Sequence, residues 1–215
     1  MMSIIFKSER TCRPRILPII VLKTNRLDCC RTRGWVSMNS NEVRVDVAWK
    51  KIGDGHSLRL WKMSTEIEAP PAELLNRVLR ERHLWDSSLI KWRLVVRLDK
   101  KSEVVHYTCT SSVPASTRDF TILRSWRNDL PRGTCLVAET SIEHPDAPPV
   151  PAATRGIVLA SRYLIQPCGA GKSRLVHLSR VDIKYVNHFF NHFFNIMCYC
   201  FYLIRFYYLF NIIDF

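Results

Sequence analysis

Between Gly34 and Lys184 the chain alternates apolar and polar residues in one short segment after another, and changes to helical spacing only once. That pattern restricts the fold more than any other property of the sequence. Glu42–Lys51 sets Val43, Val45 and Val47 against Arg44 and Asp46, the alternation of a half-buried strand. Ser57–Glu68 repeats it through Leu58, Leu60, Met63 and Ile67, after a turn at Gly53, Asp54 and Gly55. Pro70 and Pro71 then suit a helix start. Leu74, Leu75, Val78, Leu79 and Trp85 follow at helical spacing, with Arg77, Arg80, Glu81 and Arg82 mostly on the other face. Further strands are expected at 89–98, 103–112, 118–127, 134–142, 156–166 and 173–184. No repeat is visible, and successive strands without intervening helices favour an antiparallel sheet over a βαβ series. A sheet with one short helix beside it leaves a whole face needing cover.

The pattern stops at Lys184. Residues 185–215 contain two charged side chains, Arg205 and Asp214, and 13 of the chain's 23 Phe, Trp and Tyr residues. Phe193 to Ile213 has one charge in 21 residues, long enough for a membrane-spanning helix. Arg205 near its centre costs about 2.5–3.5 kcal/mol, much of which the surrounding Phe, Leu and Ile offset. Aromatics surround this segment without leaving a polar stripe, which suits a bilayer better than a lid with one wet side. The organisation expected is therefore a basic extension at 1–33, a folded body at 34–184 and an apolar aromatic tail at 185–215.

Charge narrows the partners. The net +13 divides into +6 over 1–33, +6 over 34–183 and +1 over the remainder. An excess of this kind, interrupted by many acids, suits an anionic membrane surface or an ordinary wet one. No basic run interleaved with aromatics points to nucleic acid. The eight cysteines contain no C-x-x-C pair, so neither a zinc ribbon nor a thioredoxin-like site is expected. The apolar run Ile16–Leu22 is interrupted by Pro18 and lacks a cleavage pattern, so it does not read as a secretory signal.

Motifs of catalysis are equally absent. Gly169-Ala170-Gly171-Lys172-Ser173 has the end of a phosphate-binding loop, but Gln166 stands where its first glycine is required. The alternating Arg174-Leu175-Val176-His177-Leu178 that follows makes it a hairpin turn. His188 and His192 share a helical face without the glutamate of a zinc-protease motif. No G-x-S-x-G elbow occurs, so no catalytic residue, metal site or cofactor is expected. On the strand at 118–127, Phe120, Ile122, Arg124 and Trp126 share one face. A guanidinium among apolar neighbours is either at the rim, reaching water, which is the default, or buried with a partner or ligand.

Gly34-Trp35-Val36-Ser37, Gly53-Asp54-Gly55-His56, Leu58-Arg59-Leu60-Trp61-Lys62 and Glu68-Ala69-Pro70-Pro71 carry a family resemblance. So do the run from Val78 to Asp86, Arg118-Asp119-Phe120, Tyr163-Leu164-Ile165 and Pro167-Cys168-Gly169. Residues 34–184 resemble the START (StAR-related lipid-transfer) domain of the deleted-in-liver-cancer Rho GTPase-activating proteins. The resemblance implies an α+β helix-grip fold, in which a curved antiparallel sheet and a C-terminal helix enclose a tunnel for one lipid. It implies a cytoplasmic, non-enzymatic lipid-binding or lipid-transfer module in Rho signalling, peripheral to membranes, its ligand a phospholipid or a sterol. Phe120, Ile122, Arg124 and Trp126 become the lipid-binding candidates. In sterol-binding members an Arg matching Arg124 lies inside the tunnel and pairs with a Glu six residues after the Trp matching Trp85. Here that position is Lys91, which argues against sterol specificity and leaves a phospholipid headgroup or a water to satisfy Arg124. Residues 1–33 and the tail depart from the family, and the GTPase-activating domain with its arginine finger is not in the chain, so Rho GTPases are not expected as direct partners. Two other readings stand beside this one: a tail-anchored membrane interaction protein using 193–213, and a truncated variant unable to hold lipid.

Overall fold

In the computed structural model, residues 34–38, 45–111 and 116–184 are described. They form a curved antiparallel sheet with two short helices against one face. The strands are β1 (Val36–Ser37), β2 (Val45–Lys50), β3 (Leu60–Ile67), β4 (Leu89–Asp99), β5 (Ser102–Ser111), β6 (Ser116–Arg127), β7 (Cys135–Ser141), β8 (Thr154–Arg155), β9 (Ile157–Gly169) and β10 (Lys172–Asp182). They lie in the order β1-β2-β3-β10-β9-β7-β6-β5-β4, and β8 pairs in parallel with the start of β6. The chain thus lays down three strands, crosses over through its helices, and returns by hairpins until β10 closes against β3.

The single helical stretch anticipated from Pro70 to Trp85 is two helices, α1 (Pro71–Arg80) and α2 (Arg82–Trp85). Glu81 separates them with φ −116° and ψ 26°. Pro71 opens α1, where its missing N–H is not needed. Leu74, Leu75, Val78 and Leu79 form its buried side. They pack with Val45, Val47, Met63, Ile67, Val137, Ile165 and Leu175 in one apolar cluster. The strand residues of this cluster define the inner face of the sheet. A second cluster, Val105, Tyr107, Phe120, Ile122, Val158 and Val181, occupies the same face further along the strands.

Two local devices shape that second cluster. A bulge between Arg180 and Val181 shifts the register of β10 on β9, so that Val158 pairs with Val181 while Ala160 pairs with Arg180. The extra residue re-aims Val158 to the inner face. Gly156 lies against the Phe120 ring, where an added Cβ would sit 2.3 Å from Cε1. The expected turn before β10 is present, and Gly171 takes φ +69° there, a conformation glycine adopts without penalty. On the outer face, the Pro-rich segment before β8 is tied down by Asp119. Its Oδ2 accepts from Val150 N (3.2 Å) and from Arg155 Nε and Nη2 (2.9 and 2.7 Å).

Residues 185–215, which include the tail segment 193–213, lie outside the described residues. Among the described residues no helix is long and apolar enough to cross a membrane.

Candidate lipid-binding site

Strand register carries a row of polar side chains across the inner face, between the two apolar clusters. Ser179 of β10 pairs with Ser161 of β9, Ser161 with Glu139 of β7, Glu139 with Arg124 of β6, and Arg124 with Glu103 of β5. All five are buried. The band follows from sequence: each of these residues stands two places from an apolar inward residue on its own strand, as Arg124 stands between Ile122 and Trp126.

Arg124 is only 2% exposed, so the structure overturns the rim position that its type alone suggests. The guanidinium is anchored on all sides. Its Nη2 donates to Glu103 Oε1 (2.8 Å) and to the Leu79 carbonyl (3.1 Å), and Nη1 to the Val78 carbonyl (3.5 Å). Glu139 Oε1 lies 3.6 Å from Nη1. The two carbonyls are those near the C-terminal end of α1, where a cation is favoured. The acid expected to be missing at Lys91 is therefore supplied by Glu103, and Lys91 lies exposed on β4. Spacing from Trp85 misplaced the partner because it is set by the β5–β6 hairpin. Glu103 is shared, since Arg80 Nη1 and Nη2 donate to its two oxygens at 2.7 and 2.9 Å. Burial works against the Glu103 charge, but the hydrogen bond from Arg80 and the charge of Arg124 outweigh it and hold its pKa below the usual carboxylate range.

The other candidates divide between the clusters. Phe120 and Ile122 are buried in the second cluster, and the Phe120 ring stacks on Tyr107 at 5.1 Å. Trp126 is half-buried beside the first cluster, with the Arg80 guanidinium 5.4 Å from its ring centroid. The candidates thus lie on both sides of the band, with Arg124 inside it.

Sequence reasoning did not single out the remainder. Arg82 on α2 places its guanidinium 4.2 Å from the Tyr107 ring centroid and donates through Nε to Asp86 Oδ2 at 2.7 Å. Burial opposes the Arg82 charge, but Asp86 together with the Tyr107 and Tyr163 side chains outweighs it and raises the pKa above the usual value. Tyr163 and His177 stack face to face, ring centroids 4.0 Å apart. Burial, then the Arg82 charge, push the His177 pKa down to about 3, so the imidazole is neutral. Burial likewise pushes the Tyr107 and Tyr163 phenols upward. Ser161 Oγ donates to Glu139 Oε2 (2.9 Å) and lies 3.2 Å from His177 Nε2. The signal for these residues was a polar side chain at an inward position of an alternating strand; Glu139, Ser161, His177 and Ser179 all carry it.

The band sets three guanidinium groups, Arg80, Arg82 and Arg124, against three carboxylates, Glu103, Glu139 and Asp86. An apolar face crossed by a charge-balanced, hydrogen-bonded band can hold a long apolar molecule and orient one polar group on it. No set of His, Cys, Asp and Glu suited to a metal ion occurs among the described residues.

Known proteins share this architecture. A model of the START domain family matches residues 23–189, a span wider at both ends than 34–184. StAR-related lipid transfer protein 13 of Mus musculus is 51% identical over 152 residues, 71% of this chain. StAR-related lipid transfer protein 8 of Homo sapiens is 46% identical over 154 residues, 72% of the chain. Rho GTPase-activating protein 7 of Mus musculus is 43% identical over 152 residues. The chain spans 14%, 15% and 14% of these three relatives' lengths. Among solved structures, the lipid transfer and protein localization domain of human StarD13 aligns at 43% identity with a TM-score of 0.76, covering 83% of this chain and 89% of that one. Human StAR-related lipid transfer protein 5, at 21% identity and a TM-score of 0.74 over 81% of this chain and 85% of its own, shares the fold.

Proposed function

The chain belongs to the START domain family, and from that premise we propose that it is a non-enzymatic module that binds and transfers one lipid on the inner face of its sheet. The observation that carries this reading is the buried polar band between two apolar clusters. Burial of acyl or sterol surface on those clusters, at about 25 cal/mol per Å², drives binding. The band fixes orientation and performs no covalent step. Phe120, Ile122 and Trp126 supply apolar contact on either side of it, and Arg124 holds the band together.

Because Glu103 completes the Arg124 pair, the absence of an acid at 91 gives no ground for setting sterols aside. Both a phospholipid and a sterol fit the proposal. Equal numbers of guanidinium and carboxylate groups favour a neutral or zwitterionic polar group over a strongly anionic one. Relatives named Rho GTPase-activating protein and lipid transfer protein support a place in Rho signalling and in lipid transfer. The GTPase-activating activity belongs in this proposal to regions of the relatives outside the stretch this chain matches.

The test is to purify the whole chain, extract it with organic solvent and identify bound lipid by mass spectrometry. About one lipid per chain is expected. A folded protein that carries no lipid and accepts none from vesicles of phosphatidylcholine and cholesterol overturns the reading.

A further inference from the structure

The polar band ends in a hydroxyl that the fold leaves unanswered. Ser179 is 0% exposed, and its Oγ finds no hydrogen-bond partner among the described residues. Its side chain shares the inner face with Leu175 and His177 by alternation along β10. Its cross-strand neighbours are Ser161 on one side and Trp61 on the other. Polar groups so deeply buried are nearly always hydrogen-bonded.

Proton counting around Ser161 defines what is left over. Ser161 gives its one proton to Glu139. Neutral His177, with the proton on Nε2, donates to one of its two lone pairs. One Ser161 lone pair remains, together with the proton and both lone pairs of Ser179.

We propose that Ser179, with Ser161, is a second recognition point on the inner face that reads a neutral hydroxyl group of the bound lipid. This rests on the reading of the chain as a lipid-binding module. A hydroxyl accepts the Ser179 proton and donates to the remaining Ser161 lone pair, so it answers both side chains at once. A phosphate or carboxylate can only accept, and it would set a negative charge beside Glu139, whose Oε2 is 2.9 Å from Ser161 Oγ. An ammonium group can only donate and leaves the Ser179 proton unused. The point is separate from Arg124: three strand spacings intervene, roughly 14 Å. Trp61, 3% exposed, supplies the apolar wall beside it.

The test uses the full chain and two labelled probes delivered from methyl-β-cyclodextrin, 1-hexadecanol and its methyl ether, 1-methoxyhexadecane. Ser179→Ala is expected to weaken binding of the alcohol about three- to tenfold, the worth of one hydrogen bond, and to leave the ether within twofold. Ser179→Thr is expected to retain alcohol binding. Unchanged alcohol binding in Ser179→Ala overturns the proposal. So does an equal loss for both probes, which reports a packing change or a buried water only. If Ser179→Ala does not fold, Ser179→Cys is read by the same criteria. Binding of neither probe by the unmodified chain overturns the hydroxyl-reading role of Ser179, and the lipid-binding reading falls with it only if the chain also carries no lipid and accepts none from the vesicles. Binding of both without a Ser179-dependent difference overturns only the role of Ser179.

Discussion

Arg124 and His177 show how one position on a strand can be legible while its chemistry is not. Alternation put Arg124 on the face of Phe120, Ile122 and Trp126, and that placement holds. Its burial depended on Glu103, 21 positions earlier, which only the β5–β6 register brings opposite. Removing one member of a buried pair leaves the other charged and underbonded, a cost of about 3–5 kcal/mol when no other partner remains. Arg80 stays on Glu103, so Arg124→Leu is expected to lose about 2–4 kcal/mol in urea unfolding. Arg124→Leu combined with Glu103→Leu should lose less than the sum of the two single variants, by at least about 1 kcal/mol; additivity would show the pair to be uncoupled. His177 predicts a pH dependence. Its folded pKa of about 3 lies below the unfolded value near 6.5. Between these values the unfolded chain binds the extra proton, so the histidine's contribution is whole above about pH 6.5 and declines as pH falls toward 3. The slope is at most about 1.4 kcal/mol per pH unit. Thermal unfolding of His177→Gln should depend less on pH between 6 and 4 than that of the unmodified chain; parallel curves would contradict this.

Elements were more legible than their irregularities. Period-two alternation located the strands because one face of each is buried, and the change to period 3.6 located α1. Helical spacing could not reveal the break at Glu81, because Trp85 continues the same apolar side across it. The bulge at Val181 was equally silent, since a single extra residue merely appears to end the alternation near Val158. The parallel pairing of Thr154 and Arg155 with β6 spans two residues, too few to leave a pattern. Gly156 is where an element-scale change can be measured. A methyl group there would overlap Phe120 Cε1, at 2.3 Å. Gly156→Ala is expected to destabilise by about 1–3 kcal/mol through overpacking, with much of that recovered in Gly156→Ala/Phe120→Leu. A Gly156→Ala protein with an unchanged urea midpoint would show that the ring moves aside freely.

At the scale of the whole molecule, a ligand that binds only the folded chain adds stability by mass action, about 2.7 kcal/mol at a free concentration one hundred times its Kd. Solvent-extracted protein should therefore melt at a lower temperature than protein carrying its co-purified lipid, and reloading should restore the difference. Equal melting temperatures would mean that the lipid is not held by the fold. The order of the sheet has a separate consequence, for how the chain is made. Strand β3 ends at Ile67, yet the strand that covers its far side, β10, begins at Lys172. About a hundred residues must leave the ribosome before Met63 can meet His177 and Ile67 can meet Ser173. During synthesis β3 is therefore an uncovered edge, with open backbone groups and an apolar inner side that invite pairing with other nascent chains. The late closure makes chaperone demand a property of strand order as much as of stability.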